Sequence, residues 1–383
     1  MWRKSQRSRT MNLTELKNSL ISFRCLMLRY NPIRYPVGLV SLGDPGPESP
    51  VLVSGNYFHT VRRLMKTLAD TDCYLLVADS AGINVWCAAG VCDFNEHKIA
   101  DAVNSCGLSE LVSHRRLILP QLAAVGVDLA ALRRECGFNG IWGPASLKDI
   151  PEFLDGGRDI AVKMRKIGFP LEDRIYNAIG MFNVFLIIPL LLALAGRRRE
   201  AHFALFANFV NIFANFLLYF RLPFKYPSNN SLLVGGIFSC AYLFHWLIDR
   251  KNHILKLPGL IQGLAILIFS NILVSIDMLG STPFYKTTIH HWLVSGDNSS
   301  LFQPSVTESC IGCGRCRDVC PGALFEKSGK VVKVVEQSEC CECLACVKQC
   351  PVGAIVNGGT GFKDDIKSID ISLANRRSPE GRL

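Results

Sequence analysis

Several things are missing from this 383-residue chain, and each absence narrows its chemistry. No secretory leader is legible. Residues 12–29 place Leu13, Leu16, Leu20, Phe23 and Met27 at helical spacing, but Lys17 and Arg24 interrupt them and no small-residue cleavage site follows. No C-x-x-C-H occurs, which excludes c-type haem attachment. Acidic residues are scarce in the first stretch, where Arg3, Lys4, Arg7, Arg9, Lys17, Arg24, Arg29 and Arg34 face only Glu15. Such an arm suits an anionic membrane surface or nucleic acid, or is a solvated leader. Charge disappears altogether from residues 175–196, 201–220, 226–248 and 257–276.

Each of those stretches has about the twenty apolar residues that cross a bilayer core as a helix. Hydrophobic residues make up 49 % of the chain, so the expected partner is the lipid bilayer and not nucleic acid. Four spans follow. An even number returns the chain to its starting side, so both flanking domains are expected together on the cytoplasmic face of the cell (inner) membrane. Arg197, Arg198 and Arg199 would then lie outside, against the usual bias of basic loops. Asn208, Asn211 and Asn215 share one face of the second span, where hydrogen bonding between helices is the expected role.

Ahead of the apolar segment, strand-like and helix-like patterns alternate. Residues 51–54, 73–79, 111–113, 117–119 and 140–142 read as strands, and 59–69, 96–106, 129–136 and 147–154 as helices. This alternation predicts an α/β domain with a mostly parallel, Rossmann-like sheet, whose ligand sits beyond the carboxyl ends of the strands. Loops 55–57, 81–90, 114–115 and 143–145 would share that face. The expected organisation is a basic arm (1–45), the α/β domain (46–170), a helical transmembrane domain (171–280), a linker (281–305), a cysteine-rich α+β domain (306–358) and a tail (359–383).

Sixteen cysteines are present, nine of them within residues 310–350. That crowding, without a leader, points to metal ligation in a reducing compartment and away from disulfides. Residues 310–321 read CIGCGRCRDVCP and residues 340–351 read CCECLACVKQCP. Both fit C-x2-C-x2-C-x3-C-P, the run of bacterial-type 2[4Fe-4S] ferredoxins, in which the fourth cysteine serves the other cluster. Cys310, Cys313, Cys316 and Cys350 would hold one cluster, and Cys340, Cys343, Cys346 and Cys320 the second. Paired zinc sites are the competing reading of C-x2-C pairs.

Cys87 lies in GINVWCAAG, between bulky Trp86 and small Ala88 and Ala89. By chemistry alone it is either a buried hydrophobe or a soft metal ligand. Residues 51–57 (VLVSGNY), 82–90 (GINVWCAAG), 112–122 (VSHRRLILPQL) and 138–144 (FNGIWGP) resemble the corrinoid-binding domain of the mercury-methylation corrinoid proteins. That domain is itself similar to the cobalamin domain of the corrinoid iron-sulfur protein of acetyl-CoA synthesis. The cysteine-rich module resembles the separate two-cluster ferredoxin partner, so residues 50–358 look like a fusion of the two.

The resemblance implies that Cys87 is the lower axial ligand of a cobalamin-type cobalt and that Asn84, Val85, Trp86, Ala88, Ala89 and Gly90 build a cap beneath the corrin. It places Asn56, Tyr57, Ser113 and His114 on loops around the ring. It further implies a corrinoid-dependent methyltransferase in which the clusters reduce cobalt to Co(I). The methyl donor would be methyltetrahydrofolate-like, or its methyltransferase, and electrons would come from a low-potential donor. A thiolate opposite the methyl group weakens the trans bond, which suits a soft acceptor such as Hg(II). Two departures stand out: Val91 and Cys92 follow CAAG where that family has lysine, and no cysteine follows Cys350, Phe362 standing in GTGF instead. A membrane-anchored electron carrier that binds a corrinoid without methylating mercury is the competing expectation.

Overall fold

The computed structural model describes residues 13–27, 32–157, 160–224, 227–248, 257–281, 302–335 and 340–358. The predicted tail and most of the predicted linker lie outside the described residues. The α/β module is a five-stranded sheet in the order β1-β3-β2-β4-β5. Its strands are β1 (Gly38–Leu42), β2 (Val51–Gly55), β3 (Cys73–Ala78), β4 (Arg116–Leu119) and β5 (Asn139–Trp142). β2, β3, β4 and β5 run parallel, while β1 lies antiparallel on the edge against β3. β2 and β3 are buried at every position, as near-continuous apolar runs covered on both faces require.

The strand period of two divides the core. Val51, Val53, Leu76 and Ala78 pack with Ile99 and Val103 of the helix Glu96–Ser105. Leu52, Leu75 and Val77 pack with Val61 and Leu64 of the helix Phe58–Thr67, and with Phe153. A fully buried aliphatic side chain of this kind contributes about 1.5–3 kcal/mol.

Two expectations need correcting. Residues 111–113 are not a strand. Leu108–Leu111 form a helical turn, started by left-handed Gly107 (φ 62°) and anchored by fully buried Leu108. The basic arm is also more than an arm: β1 belongs to the sheet, and Leu13–Met27 form a helix whose Met27 Sδ accepts from Asn183 Nδ2 at 2.9 Å.

The apolar region is helical at all four expected stretches, as Leu171–Phe185 continuing into Ile187–Leu194, Arg198–Leu217, Pro227–Ile248 and Leu257–Ser281. The first is re-set at Leu186, three residues before Pro189, which lacks a backbone donor. Among the described residues two stretches, Leu171–Leu194 and Gly259–Met278, are long and apolar enough to cross a membrane. The asparagine face is buried and bonded between helices. Asn208 Nδ2 donates to Phe185 O at 3.2 Å, Asn211 Nδ2 donates to Asn271 Oδ1 at 3.2 Å, and Ser270 donates to Asn208.

The cysteine-rich module pairs β6 (Pro304–Val306) with β9 (Ile355–Asn357) and β7 (Phe325–Ser328) with β8 (Val331–Val334), both antiparallel. β6 therefore carries this module back into the predicted linker. Short helices Arg315–Val319 and Ala345–Lys348 follow the two cysteine loops. The module rests on the α/β sheet: Ile167 N donates to Pro321 O at 3.0 Å, and Gln349 Nε2 donates to Ala124 O and Val127 O.

Candidate functional site

A cavity of about 890 Å³ opens beyond the carboxyl ends of the parallel strands. That is where an open α/β sheet binds ligands, and its size is that of a cofactor pocket. Its wall includes Tyr57, Asn84, Val85, Trp86 and Cys87 from the predicted set. On the far side it is closed by Phe169, Asp173 and Tyr176, at the start of the first apolar helix, and by Cys25 of the N-terminal helix.

The short helix Val85–Gly90 presents Cys87. Asn84 caps it: its Oδ1 accepts from Cys87 N at 2.9 Å, which satisfies a first-turn amide. Ala88 and Ala89 are buried in the module's core and not on the cavity wall. They seat the helix on residues 121–127, so small side chains there serve close packing rather than approach to a ring. A Cβ on Gly126 would lie 2.6 Å from Ala89 O and 2.8 Å from Phe94 O, so only glycine fits against the cap helix. Gly90, predicted as part of the cap surface, has open space around its Cβ position and is absent from the cavity wall.

Asn56 is a hub and not a wall residue. Its Oδ1 accepts from Ser80 N (2.9 Å), Ser80 Oγ (3.0 Å) and Gly82 N (2.9 Å), and its Nδ2 donates to Asp79 Oδ1 at 3.0 Å. It fixes the loop that delivers Cys87. Ser113 and His114 are placed elsewhere altogether. They precede β4, at the amino ends of the strands and opposite the cavity, where Ser113 Oγ donates to Glu48 and His114 Nε2 meets Ser49 O at 2.9 Å. The resemblance places both residues around the ring, whereas the structure sets them at the amino end of β4, away from the cavity wall.

Two cavity residues carry no sequence signal. Gln121 is buried; its Nε2 donates to Arg165 O at 3.0 Å, while Oε1 has no hydrogen-bond partner. A buried acceptor left unpaired is costly unless a ligand supplies a donor. Corrin rings carry peripheral amides, so this atom, the apolar walls and the Cys87 thiol fit such a group. His59 stacks on Tyr176 with ring centroids 4.8 Å apart, and burial with the Arg63 charge holds its imidazole below the usual histidine range.

The cysteine loops obey a repeat of thirty residues that extends to the backbone. Left-handed residues recur at matched places: Gly312 (φ 66°) with Glu342 (55°), Gly314 (80°) with Leu344 (60°), and Ala323 (56°) with Gly353 (61°). Leu324 N donates to Cys320 Sγ at 3.4 Å and Ala354 N to Cys350 Sγ at 3.1 Å, again a matched pair. Cys316 feels Cys313, Cys350 and Cys310 as charged neighbours, whereas Cys320 feels Cys343 and Cys340. The electrostatic neighbours of both thiols therefore include cysteines of the other motif, and buried Cys346 has Cys316 among its own.

Burial pushes the Cys316 thiol up to about 11 and the Cys320 thiol up to about 12, so these sulfurs deprotonate when a metal replaces the proton. Cys341, outside the motif, is buried beside Cys343; the hydrogen bond between them raises Cys341 and lowers Cys343. Among the described residues no three Cys, His, Asp or Glu groups converge on a single ion. Loops turned by left-handed residues, with backbone N–H groups aimed at sulfur, fit polynuclear clusters.

The fold and its sites define an α/β cofactor-binding module coupled to a ferredoxin-type module. Residues 25–154 match the family model described as the CO dehydrogenase/acetyl-CoA synthase delta subunit, and residues 297–355 match a 4Fe-4S dicluster domain. Among curated relatives, the acetyl-CoA decarbonylase/synthase complex subunit gamma of Methanopyrus kandleri is 32 % identical over 122 residues, covering 31 % of this chain and 26 % of that protein. The subunit of the same name from Methanocaldococcus jannaschii is 28 % identical over 162 residues, 40 % of this chain and 32 % of that protein. The chain thus spans about a quarter to a third of the length of these relatives.

Proposed function

We propose that this protein is a membrane-bound corrinoid iron-sulfur methyltransferase. The observation that carries the reading is the position of Cys87, on a capped helix in the wall of the cavity beyond the parallel strands. The similarity of residues 25–154 to a corrinoid-protein family and of residues 297–355 to a dicluster domain supports it. Cys87 would hold the corrinoid's cobalt through its sulfur, with its helix fixed by Asn84 and by the seat of Ala88 and Ala89. Gln121 Oε1 would accept from a peripheral amide of the ring. Cys310, Cys313, Cys316 and Cys350 would hold one [4Fe-4S] cluster and Cys320, Cys340, Cys343 and Cys346 the second. When bound, the corrinoid supplies a cobalt that carries a methyl group, and the clusters supply single electrons to it.

The chain's own residues do the rest. Leu52, Val53, Ile118 and Leu119 line the cavity and keep water from it. Asn56 holds the loop before the cap, so that the sulfur is presented at a fixed height. The modules on either side of the apolar helices touch, which supports an even number of crossings between them; both would face the cytoplasm, with the bilayer as anchor. The methyl donor in this reading is a methyltetrahydrofolate-type compound or its methyltransferase, the reductant is a low-potential electron donor, and the acceptor is soft, mercury(II) by resemblance.

One observation favours a second reading. Phe362 stands in GTGF where the mercury-methylation family tends to have a cysteine, so that position offers no thiol to pass on mercury. The second reading is a membrane-anchored ferredoxin-type electron carrier with a corrinoid-binding domain and no mercury methylation. A single experiment separates them. The anaerobically purified, cluster-replete chain is loaded with a cobamide, reduced, and offered a methyl-labelled pterin with and without Hg(II). Label held by the protein and released to Hg(II) supports the first reading. Cobamide binding without label uptake leaves the electron carrier.

A further inference from the structure

The sequence places eight cysteines in two equivalent motifs, yet the structure does not treat the two halves alike. The position thirty residues after Val319 is Gln349, and only this half carries an amide there. Gln349 is 5 % exposed, and Nε2 donates at 2.9 Å to Ala124 O and at 2.8 Å to Val127 O. An amide NH2 has two hydrogens, so both are used on one turn of the α/β module. Val319 and Ala345 are counted within that module's core, with Cys343 packed against it. Ile167 N donates to the carbonyl of Pro321, the residue after Cys320. Cys320 and Cys343 belong to the same ligand set.

The turn that receives these contacts is in backbone contact with the cap. Gly126 leaves no room for a Cβ against Ala89, two residues after Cys87. In the other ligand set Cys313 is exposed and Ile311 beside it is 60 % exposed, although Cys316 is buried, whereas Cys340 and Cys346 are both buried.

We infer that residues 121–127 are a docking seat for the ferredoxin module of the same chain, with Gln349 as its clamp. The seat turns the Cys320, Cys340, Cys343 and Cys346 thiols toward the cavity and the Cys310, Cys313, Cys316 and Cys350 thiols toward a soluble electron donor. The direction of electron flow rests on the function proposed above; the seat does not. Each passage moves one electron. The low-potential donor would lose that electron, the groups held by the outer and inner thiols would relay it, and the cobalt held by Cys87 would gain it. Gln349 is a positioning residue in this scheme.

Amide hydrogen exchange on the full-length, cluster-replete chain in detergent tests it. Gln349→Ala should raise exchange at residues 121–127 and 85–94 at least tenfold while cluster absorption stays unchanged. Gln349→Glu keeps the shape but points acceptors at two carbonyls, so it should loosen the seat more than alanine does. Ile167→Pro, outside the cysteine motifs, removes the donor to Pro321 together with a buried side chain on the cavity wall, and should act in the same direction if a Gln349 variant loses its clusters. With cobamide bound, the rate of cobalt reduction relative to cluster reduction should fall about tenfold in each variant. Unchanged exchange, or a glutamate variant milder than alanine, overturns the clamp. Failure to retain any cobamide would sink the proposed function, while the exchange arm would still decide the seat.

Discussion

Asn56 accepts two hydrogen bonds from Ser80, one from the backbone N–H at 2.9 Å and one from Oγ at 3.0 Å. Through this pair a strand-end residue holds the loop that leads into the Cys87 helix. Asn56→Ala leaves Ser80 N and Gly82 N buried without their acceptor, while Ser80 Oγ can still donate to Ile83 O at 2.8 Å, at a cost of about 1–3 kcal/mol. The expected result is a lower midpoint for the α/β module in thermal unfolding followed by tryptophan fluorescence, together with weaker cobamide retention. Ser113→Ala is the contrast. Its side chain is exposed at the amino ends of the strands, so it should shift stability by no more than about 0.5 kcal/mol and leave cobamide binding unchanged.

Acid should loosen the wall of the cavity. His59 is held below its ordinary range by burial first and by Arg63 second, with Asp173 and Glu172 opposing. A depressed imidazole favours the neutral folded form. Its stabilising effect is therefore complete above the unfolded value of about 6.5 and is lost as pH falls through the lower folded value. The thermal midpoint of the wild-type chain in detergent should drop between pH 7 and pH 5 by more than that of His59→Gln. Parallel curves for the two proteins would remove His59 from the account.

The proposed crossed grouping of thiols gives an arithmetic test. Cys320→Ala should remove roughly half the iron, from the cluster bound by the second motif. Adding Cys340→Ala should cost little more, because both residues serve one cluster; adding Cys310→Ala should remove the rest. Iron content and the electron paramagnetic resonance of the reduced protein read all three. Loss of both clusters from Cys320→Ala and Cys340→Ala together would mean that each motif keeps its own fourth ligand.

How much of this was legible in the sequence differs by region. The cysteine module was readable because soft ligands at fixed spacing leave few alternatives. Its backbone was not, since Glu342, Leu344 and Ala323 take left-handed conformations that sequence ordinarily announces with glycine. The alternation of strands and helices was readable in the α/β module, but the short apolar run at 111–113 fits a strand or a helical turn equally well. That ambiguity hides the turn, and Ser113 and His114, placed around the ring by resemblance, lie instead at the amino end of β4. The helix Leu13–Met27 was visible as a pattern, yet its partner lies more than a hundred residues away, as the 156-residue separation of Met27 and Asn183 shows. Gln121 and Gln349 gave no signal at all. A glutamine acquires meaning only from the carbonyls that tertiary packing places before it, here 225 and 222 residues distant for Gln349.

The claim on which all else depends is that the Cys87 sulfur meets cobalt. The direct measurement is the visible and electron paramagnetic resonance spectrum of the anaerobically purified full chain loaded with a cobamide lacking its own lower base. Wild type should show a sulfur-ligated cobalt signature that Cys87→Ala lacks, with cluster absorption the same in both. Superimposable cobalt spectra in the two proteins would contradict it.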